Sequence, residues 1–398
     1  MSGAPASVGR LLPSGDEAGT PPGDRAFRPD ILGMRAVAVM LVVLEHAQVT
    51  SFRGGFVGVD VFFVISGFVI TGLLLRERSA TGKTNILAFY GRRARRIIPA
   101  AMLVIVVTVI AERIFVGMAA TVLAGEEAKG ASVFLANYLL PPGGNVFHPL
   151  PTPLLSYWSL SIEEQFYLVY PMLLVVAATI ARDRSLRVKL GVLLAVTIAI
   201  SFTWSVISSR GGGIFVAYIS PFTRAWELAM GGLLAVCSGW LKKLPLTLAA
   251  VMSWVGLVAV VLAAVIIPGP GASGYPGYLA AVPVGATALI IAGGTAAPRW
   301  GAEELLRLAP FKWLGLWSFS IYLWHYPILT VAAQHWGHTT VMTNLLLVGG
   351  AIALSAGTYF AIETPIRHSS FLTRFPLASV AGGASLIVAG LTVVYLVS

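Results

Sequence analysis

Eleven stretches of about twenty mostly apolar residues recur along this chain. They lie near 32–50, 57–75, 97–117, 158–180, 188–207, 221–239, 246–267, 279–297, 313–333, 340–361 and 377–397. A segment of that length crosses a bilayer as a helix, because only a helix satisfies all its own backbone polar groups in hydrocarbon. The pattern predicts an all-α integral membrane protein, a polytopic helix bundle of about 10–11 transmembrane helices. Composition agrees: 57% of the residues are hydrophobic and 11% charged, whereas soluble domains carry about 25% charged residues.

The net charge of +10 invites a nucleic-acid reading, so the placement of the charges matters. Connections between the apolar runs alternate in basic content. One set holds Arg76, Arg78, Lys83, the RRARR at 92–96, Arg182, Arg184, Arg187, Lys189, Lys242, Lys243, Arg299, Arg307, Lys312, Arg367 and Arg374. The other holds little beyond Arg53, Lys129 and Arg210. By the positive-inside rule the basic set faces the cytoplasm of a plasma-membrane protein with a cytoplasmic N-terminus. The charge is then topological, with membrane lipid and not nucleic acid as its partner. Residues 1–27 are rich in Pro, Gly and Ser and read as a disordered cytoplasmic tail, so the first span is expected to act as a retained anchor. The single cysteine, Cys237, excludes an internal disulfide, and no zinc-ligand spacing appears. Residues 118–156 form an unusually long external segment, expected to pack as a cap with a non-helical Pro/Gly stretch.

Ionisable groups within spans cost at least about 2.5 kcal/mol each on insertion scales and therefore point to sites. In MRAVAVMLVVLEHAQ, Arg35 and His46 stand eleven positions apart. At about 100° per residue they return to within roughly 20° of one face, about 16 Å apart along the axis. Either they snorkel to opposite interfaces, or one face presents an anion-binding cation and, further out, a general base. The second span carries Asp60 at a depth similar to His46, with Ser66 beside Gly67. Asp60 either orients His46 as a His–Asp acid/base pair or bridges helices. The RRARR stretch, with Arg92, Arg93, Arg95 and Arg96, binds lipid headgroups or offers guanidiniums to a phosphate or pyrophosphate. Glu163, Glu164 and Gln165 enter the fourth span. Arg224 and Glu227 have the spacing of a helix pair, and Tyr322 and His325 lie inside the ninth span. Glu363 and Arg367 read as a surface ion pair.

These residues sit in FRPDILGMRAVAVMLVVLEHA, GGFVGVDVFFVISGFVIT, FYGRRARRIIPA, SYWSLSIEEQFYLVYP, FTRAWELAMGG, SFSIYLWHYP and IETPIR. Seven motifs in that order, over most of residues 28–368, resemble acyltransferase family 3, the integral-membrane O-acyltransferases. The resemblance implies a membrane domain of ten spans over 28–375, followed by an extra transmembrane helix over 376–398. It also implies transfer of an acyl group, usually acetyl, from acyl-CoA (acetyl-CoA) to a hydroxyl on a cell-envelope glycan or a macrolide. By position, His46 resembles the family's catalytic histidine and Asp60 its partner carboxylate. Arg35, Arg92, Arg93, Arg95 and Arg96 match cations that handle the donor. Glu163 matches the acid before QFY, and His325 the histidine of YLWH. Ser66, Arg224, Glu227 and Tyr322 are supporting positions. Two residues depart from the pattern: Glu45 stands where an aromatic or aliphatic residue is usual, and Thr364 where a basic one is common. The competing reading is a proton-coupled secondary transporter built on the same buried charges, against which no internal repeat between the two halves is seen.

Overall fold

The computed structural model of the protein describes residues 28–139, 152–180, 185–210, 214–269, 271, 273–296, 298 and 300–398. Among them there is no strand, and twelve helices reach fifteen residues or more. They are α1 (Pro29–His46), α2 (Gly58–Thr81), α3 (Ile86–Phe115), α4 (Met118–Ser132), α5 (Tyr157–Thr179), α6 (Leu186–Ser208), α7 (Pro221–Val236), α8 (Leu246–Ile266), α9 (Ala281–Thr295), α10 (Ala309–Trp336), α11 (Val341–Thr358) and α12 (Pro376–Val397). Eleven of these fall on the eleven apolar stretches, and α4 lies in the long segment over 118–156. The chain is an all-α, multi-pass membrane protein. The tail over 1–27 and most of the Pro/Gly stretch of the cap lie outside the described residues.

Eight helices are long and apolar enough on their own to cross a membrane. The other three of the eleven are α1, α7 and α10, which carry Arg35, Glu45 and His46, then Arg224 and Glu227, then Tyr322 and His325. α1 contains Asp30, Arg35 and Glu45 within 18 residues, and α7 is only 16 residues long. These three helices each hold candidate ionisable residues, as do α2, α3 and α5. Their neighbours shield them: α1 packs against α10 and α2, α2 against α7, and α7 against α6.

The α2–α7 contact is set by glycine. A Cβ on Gly67 would collide with the Leu228 carbonyl, and one on Gly231 with that of Val64. With only hydrogen at both positions the two backbones touch, the usual means of tight helix association in lipid. This approach lets the short Asp60 side chain of α2 reach Arg224 on α7. Away from that seam, α12 packs along α3 and reaches α4.

The cap begins with α4, whose Ala124, Ala128 and Ala131 are buried in one cluster with Leu154 and Tyr157. Glu127 on the same helix accepts a hydrogen bond from the Leu154 backbone N–H at 2.9 Å. Burial pushes the Glu127 carboxyl up to about 7, with Glu112 adding to the effect and the Leu154 and Thr152 hydrogen bonds opposing it. A raised carboxyl contributes its full stability below the unfolded value of 4.5, and that contribution is lost as pH rises through about 7. Such a shift corresponds to about 3 kcal/mol. Glu127→Gln is therefore expected to flatten the fall in melting temperature between pH 4.5 and 8. An unchanged pH slope in that variant would assign the cap's pH dependence to other groups.

Candidate active site

The ionisable residues collect at three places along the bundle. At the C-terminal end of α1, His46 Nδ1 lies 3.0 Å from His325 Nε2, and the two rings stack with centroids 5.2 Å apart. Tyr326 closes the edge of His46 at 4.8 Å. On its other side His325 Nδ1 lies 2.9 Å from the Ile321 carbonyl, one turn back on α10. A carbonyl oxygen only accepts, so Nδ1 of His325 carries the hydrogen, and neutral His325 offers the Nε2 lone pair. His46 must then donate through Nδ1, which leaves His46 Nε2 as the free basic nitrogen. The hydrogen-bond order, fixed by one backbone carbonyl, selects which His46 nitrogen stays basic. His325 is fully buried, whereas about a quarter of the His46 side chain is exposed.

The expected His46–Asp60 pair is not formed. Asp60 is fully buried and its carboxylate oxygens are committed elsewhere: Oδ1 accepts from Arg224 Nη1 at 2.8 Å and Oδ2 from the Tyr275 hydroxyl at 2.5 Å. Arg224 also donates to Glu227 Oε1 at 2.7 Å and through Nε to the Tyr218 carbonyl at 3.0 Å. The rings of Trp158, Tyr218 and Tyr275 surround the guanidinium at 5.0–5.8 Å. The i, i+3 pair expected from the sequence is present, but as part of a sealed triad joining α2 to α7. A short carboxylate held by a guanidinium and a phenol cannot also turn to an imidazole. The role of orienting His46 falls to His325.

The third place is toward the opposite end of α1. Arg35 stands within electrostatic reach of Glu163, Tyr167, Glu363 and Arg93. Arg96 lies close to Arg35, Arg93 and Arg367. Neither Arg35 nor Arg96 has a hydrogen-bond or ion-pair partner among the described residues, and both are half-buried. The other three basic candidates are engaged. Arg92 pairs with Glu77 at 2.9 Å. Arg93 donates to Glu164 at 2.6 Å and lies 3.9 Å above the Tyr167 ring. Arg95 turns away altogether: its Nη1 donates to the Leu372 carbonyl at 2.6 Å and to Ser379 Oγ at 2.8 Å, tying α3 to α12. The grouping of Arg95 with the donor cations is thereby corrected. Successive residues of a helix point about 100° apart, so a run of four arginines cannot face one ligand.

Between these ends, Glu163 Oε1 accepts from Ser66 Oγ at 2.7 Å and from the Tyr167 hydroxyl at 2.6 Å. Gln165 donates to the Phe134 carbonyl and to Asn137, holding α5 to the cap. Tyr322 bonds Ser159 Oγ at 2.5 Å and the Ser156 carbonyl at 3.0 Å, anchoring α10 to the start of α5. Glu363 corrects another expectation. It is not a surface partner of Arg367 but is buried, bonded by the Ser320 hydroxyl, and close to Arg96 and Arg35. A π-helical turn over Tyr359–Glu363 shifts the register and carries it inward. Tyr167, Tyr275 and Tyr326 stand among these groups although the sequence did not single them out. Tyr167 lies within the QFY motif, while nothing near Tyr275 distinguishes it from an interface aromatic.

The arrangement sets two free guanidiniums toward one end of α1 and an oriented imidazole at the other. Residues 28–361 match the family described as "Acyltransferase domain", and the chain belongs to it. It is similar to the peptidoglycan O-acetyltransferase OatA of Listeria monocytogenes, 31% identical over 371 residues that cover 88% of this chain and 57% of that protein. It is also similar to a putative peptidoglycan O-acetyltransferase, YrhL, of Bacillus subtilis, 32% identical over 87% of this chain and 56% of that protein. A third relative, the O-acetyltransferase OatA of Staphylococcus aureus, is 29% identical over 87% of this chain and 58% of that protein. The chain thus spans little more than half the length of these relatives. No solved structure matches it.

Proposed function

We propose that this chain is an O-acyltransferase that moves an acetyl group from acetyl-CoA to a hydroxyl of a cell-envelope glycan. The observation that carries the reading is the polarity of α1. Two unpartnered guanidiniums, Arg35 and Arg96, stand toward one end, and the His46–His325 pair stands at the other. The acceptor class rests on the names of the relatives, two of which are peptidoglycan O-acetyltransferases; a macrolide acceptor has no comparable support.

With the basic connections inside, the Arg35 end faces the cytoplasm, where acyl-CoA is made. Arg35 and Arg96 bind the donor's phosphates, and the pantetheine arm runs along α1 toward His46. Nε2 of His46 removes the acceptor hydroxyl proton as the oxygen attacks the thioester carbonyl. The C–S bond then breaks, and the imidazolium returns its proton to the departing thiolate. Acceptor ester and free CoA leave, and His46 is neutral again. His325 holds the tautomer, and the Asp60–Arg224–Glu227 triad fixes the helices that frame the site.

The test is transfer of radiolabel from acetyl-CoA by the purified full chain in lipid nanodiscs, offered glycan fragments and a macrolide in parallel. Label on the glycan is the expected result. Label confined to the macrolide would change the acceptor, and neither transfer nor thioester hydrolysis, together with acceptor uptake in proteoliposomes, would replace the enzyme by a transporter. The donor assignment has its own check. Arg35→Gln and Arg96→Gln are each expected to raise the KM for acetyl-CoA about tenfold, the loss of one charge-assisted phosphate contact. The KM for the acceptor is expected to stay put. Equal effects on both substrates would remove these arginines from the donor site.

A further inference from the structure

Glu45 is an ionisable residue at the His46 end that neither the family pattern nor the mechanism above uses. Its Oε2 lies 3.2 Å from His46 Nε2, the nitrogen that the His325 and Ile321 contacts leave basic. The same oxygen is buried and makes no aligned hydrogen bond. At that distance the oxygen and the nitrogen interact directly by charge, although no hydrogen lies on the line between them. The surroundings hold Glu45 there. Gly55, in the short turn Gly55–Val57 before α2, sits directly against it, and a Cβ on Gly55 would collide with the Glu45 Cβ and the Leu41 carbonyl. Tyr218, Tyr322 and Tyr326 stand within electrostatic reach of it. No arginine or lysine pairs with it among the described residues.

We propose that Glu45 is a positioning residue specific to this chain, an anion that stabilises the proton taken up by His46 Nε2 during transfer. The inference rests on the acyl-transfer reading above. With Glu45 ionised, the group Glu45–His46–His325 holds two imidazole protons, both on Nδ1, and one negative charge. When the acceptor O–H breaks, its proton forms the new N–H bond at Nε2. The site becomes neutral overall, with an imidazolium beside a carboxylate. When the thiolate leaves, that N–H proton goes to sulfur and the anion is restored. Each half of the cycle replaces a lone buried charge by a compensated pair, or the reverse, so the proton is held without being trapped. A residue without charge at position 45 leaves the imidazolium uncompensated.

The experiment compares Glu45→Gln, Glu45→Asp and Glu45→Ala in the full chain in nanodiscs, with labelled acetyl-CoA and the acceptor that the unaltered protein uses. Gln keeps the shape of Glu and removes the charge. Its kcat is expected to fall about 10- to 100-fold, a part of the 10²–10⁴-fold that base catalysis supplies, with both KM values within about twofold. Glu45→Asp is expected to retain more activity than Glu45→Gln, and added formate is expected to restore part of the Glu45→Ala rate. Rescue by formate reads the missing charge and not packing, because a filler of the cavity would not need to be anionic. Acetamide serves as the uncharged control. A Glu45→Gln variant as fast as the unaltered protein, or a Glu45→Ala variant rescued equally by formamide or acetamide, or by nothing, overturns the proposal. If the unaltered protein itself transfers no label, the failure belongs to the proposed function and not to Glu45.

Discussion

Replacement of His46 by glutamine is expected to lower acetyl transfer by about 10²–10⁴-fold, the usual contribution of a general base, while the protein still folds. Gln can occupy the space and donate to His325 Nε2 through its amide, so the stacked geometry at the end of α1 has a substitute. It has no basic nitrogen to take a proton. The measurement is the initial rate of label transfer, with the melting temperature read on the same sample. A companion variant, His325→Phe, keeps the ring but removes the Nε2 acceptor and the Nδ1–H donor to Ile321. It frees His46 to adopt either tautomer, and a smaller loss in kcat than for His46→Gln is expected. If His46→Gln retains near-normal rates, the imidazole is not the base, and the polarity of α1 loses its outer half.

The second large effect concerns folding. Arg224→Met is expected to destabilise the protein by about 3–5 kcal/mol, the cost of leaving buried charges without their partner. Asp60, Arg224 and Glu227 are all fully buried, so no water replaces the guanidinium. The aromatic rings of Trp158, Tyr218 and Tyr275 accept the methionine side chain but offer the carboxylates little. Thermal unfolding in detergent, followed by loss of the monodisperse species, reads the effect. The triple variant Arg224→Met, Asp60→Asn, Glu227→Gln removes the stranded charges and is expected to recover most of the melting temperature. Were Arg224→Met to melt with the unaltered protein, the triad would not be the fastening between α2 and α7. The same experiment separates a structural from a catalytic Asp60, since the triple variant keeps His46, His325 and Glu45 in place.

The fold was largely legible because its information is local. A span is recognised from about twenty consecutive residues, and all eleven apolar stretches are helices. The eight that satisfy length and hydropathy together are the plain ones. α1, α7 and α10 were marked by the charges they carry, and those charges led to the site. The Arg35–His46 spacing likewise needed only the helical period. Pairings were another matter. His46 meets His325 across 279 positions, Asp60 meets Arg224 across 164, and Arg95 meets Ser379 across 284. The sequence placed Asp60 at the right depth for His46 but could not show that a phenol and a guanidinium would claim both its oxygens. Nor did the IETPIR motif announce that a π-helical turn would bring Glu363 inward toward Arg35.

What the sequence alone determined is the list of parts: membrane helices, the cations and imidazole on α1, the family, and an unexpected acid at position 45. Each follows from residues within a few turns of one another, where periodicity and chain geometry leave little freedom. Only the tertiary structure decided who partners whom. That choice depends on which helix faces which, at what height and in what rotation, and glycine contacts such as Gly67 of α2 against α7 and Gly55 against α1 set those variables. In lipid an ionisable side chain must find compensation inside the bundle. The partner it finds, and not its type, made Asp60 a fastening and set His325 and Glu45 against the two ring nitrogens of His46.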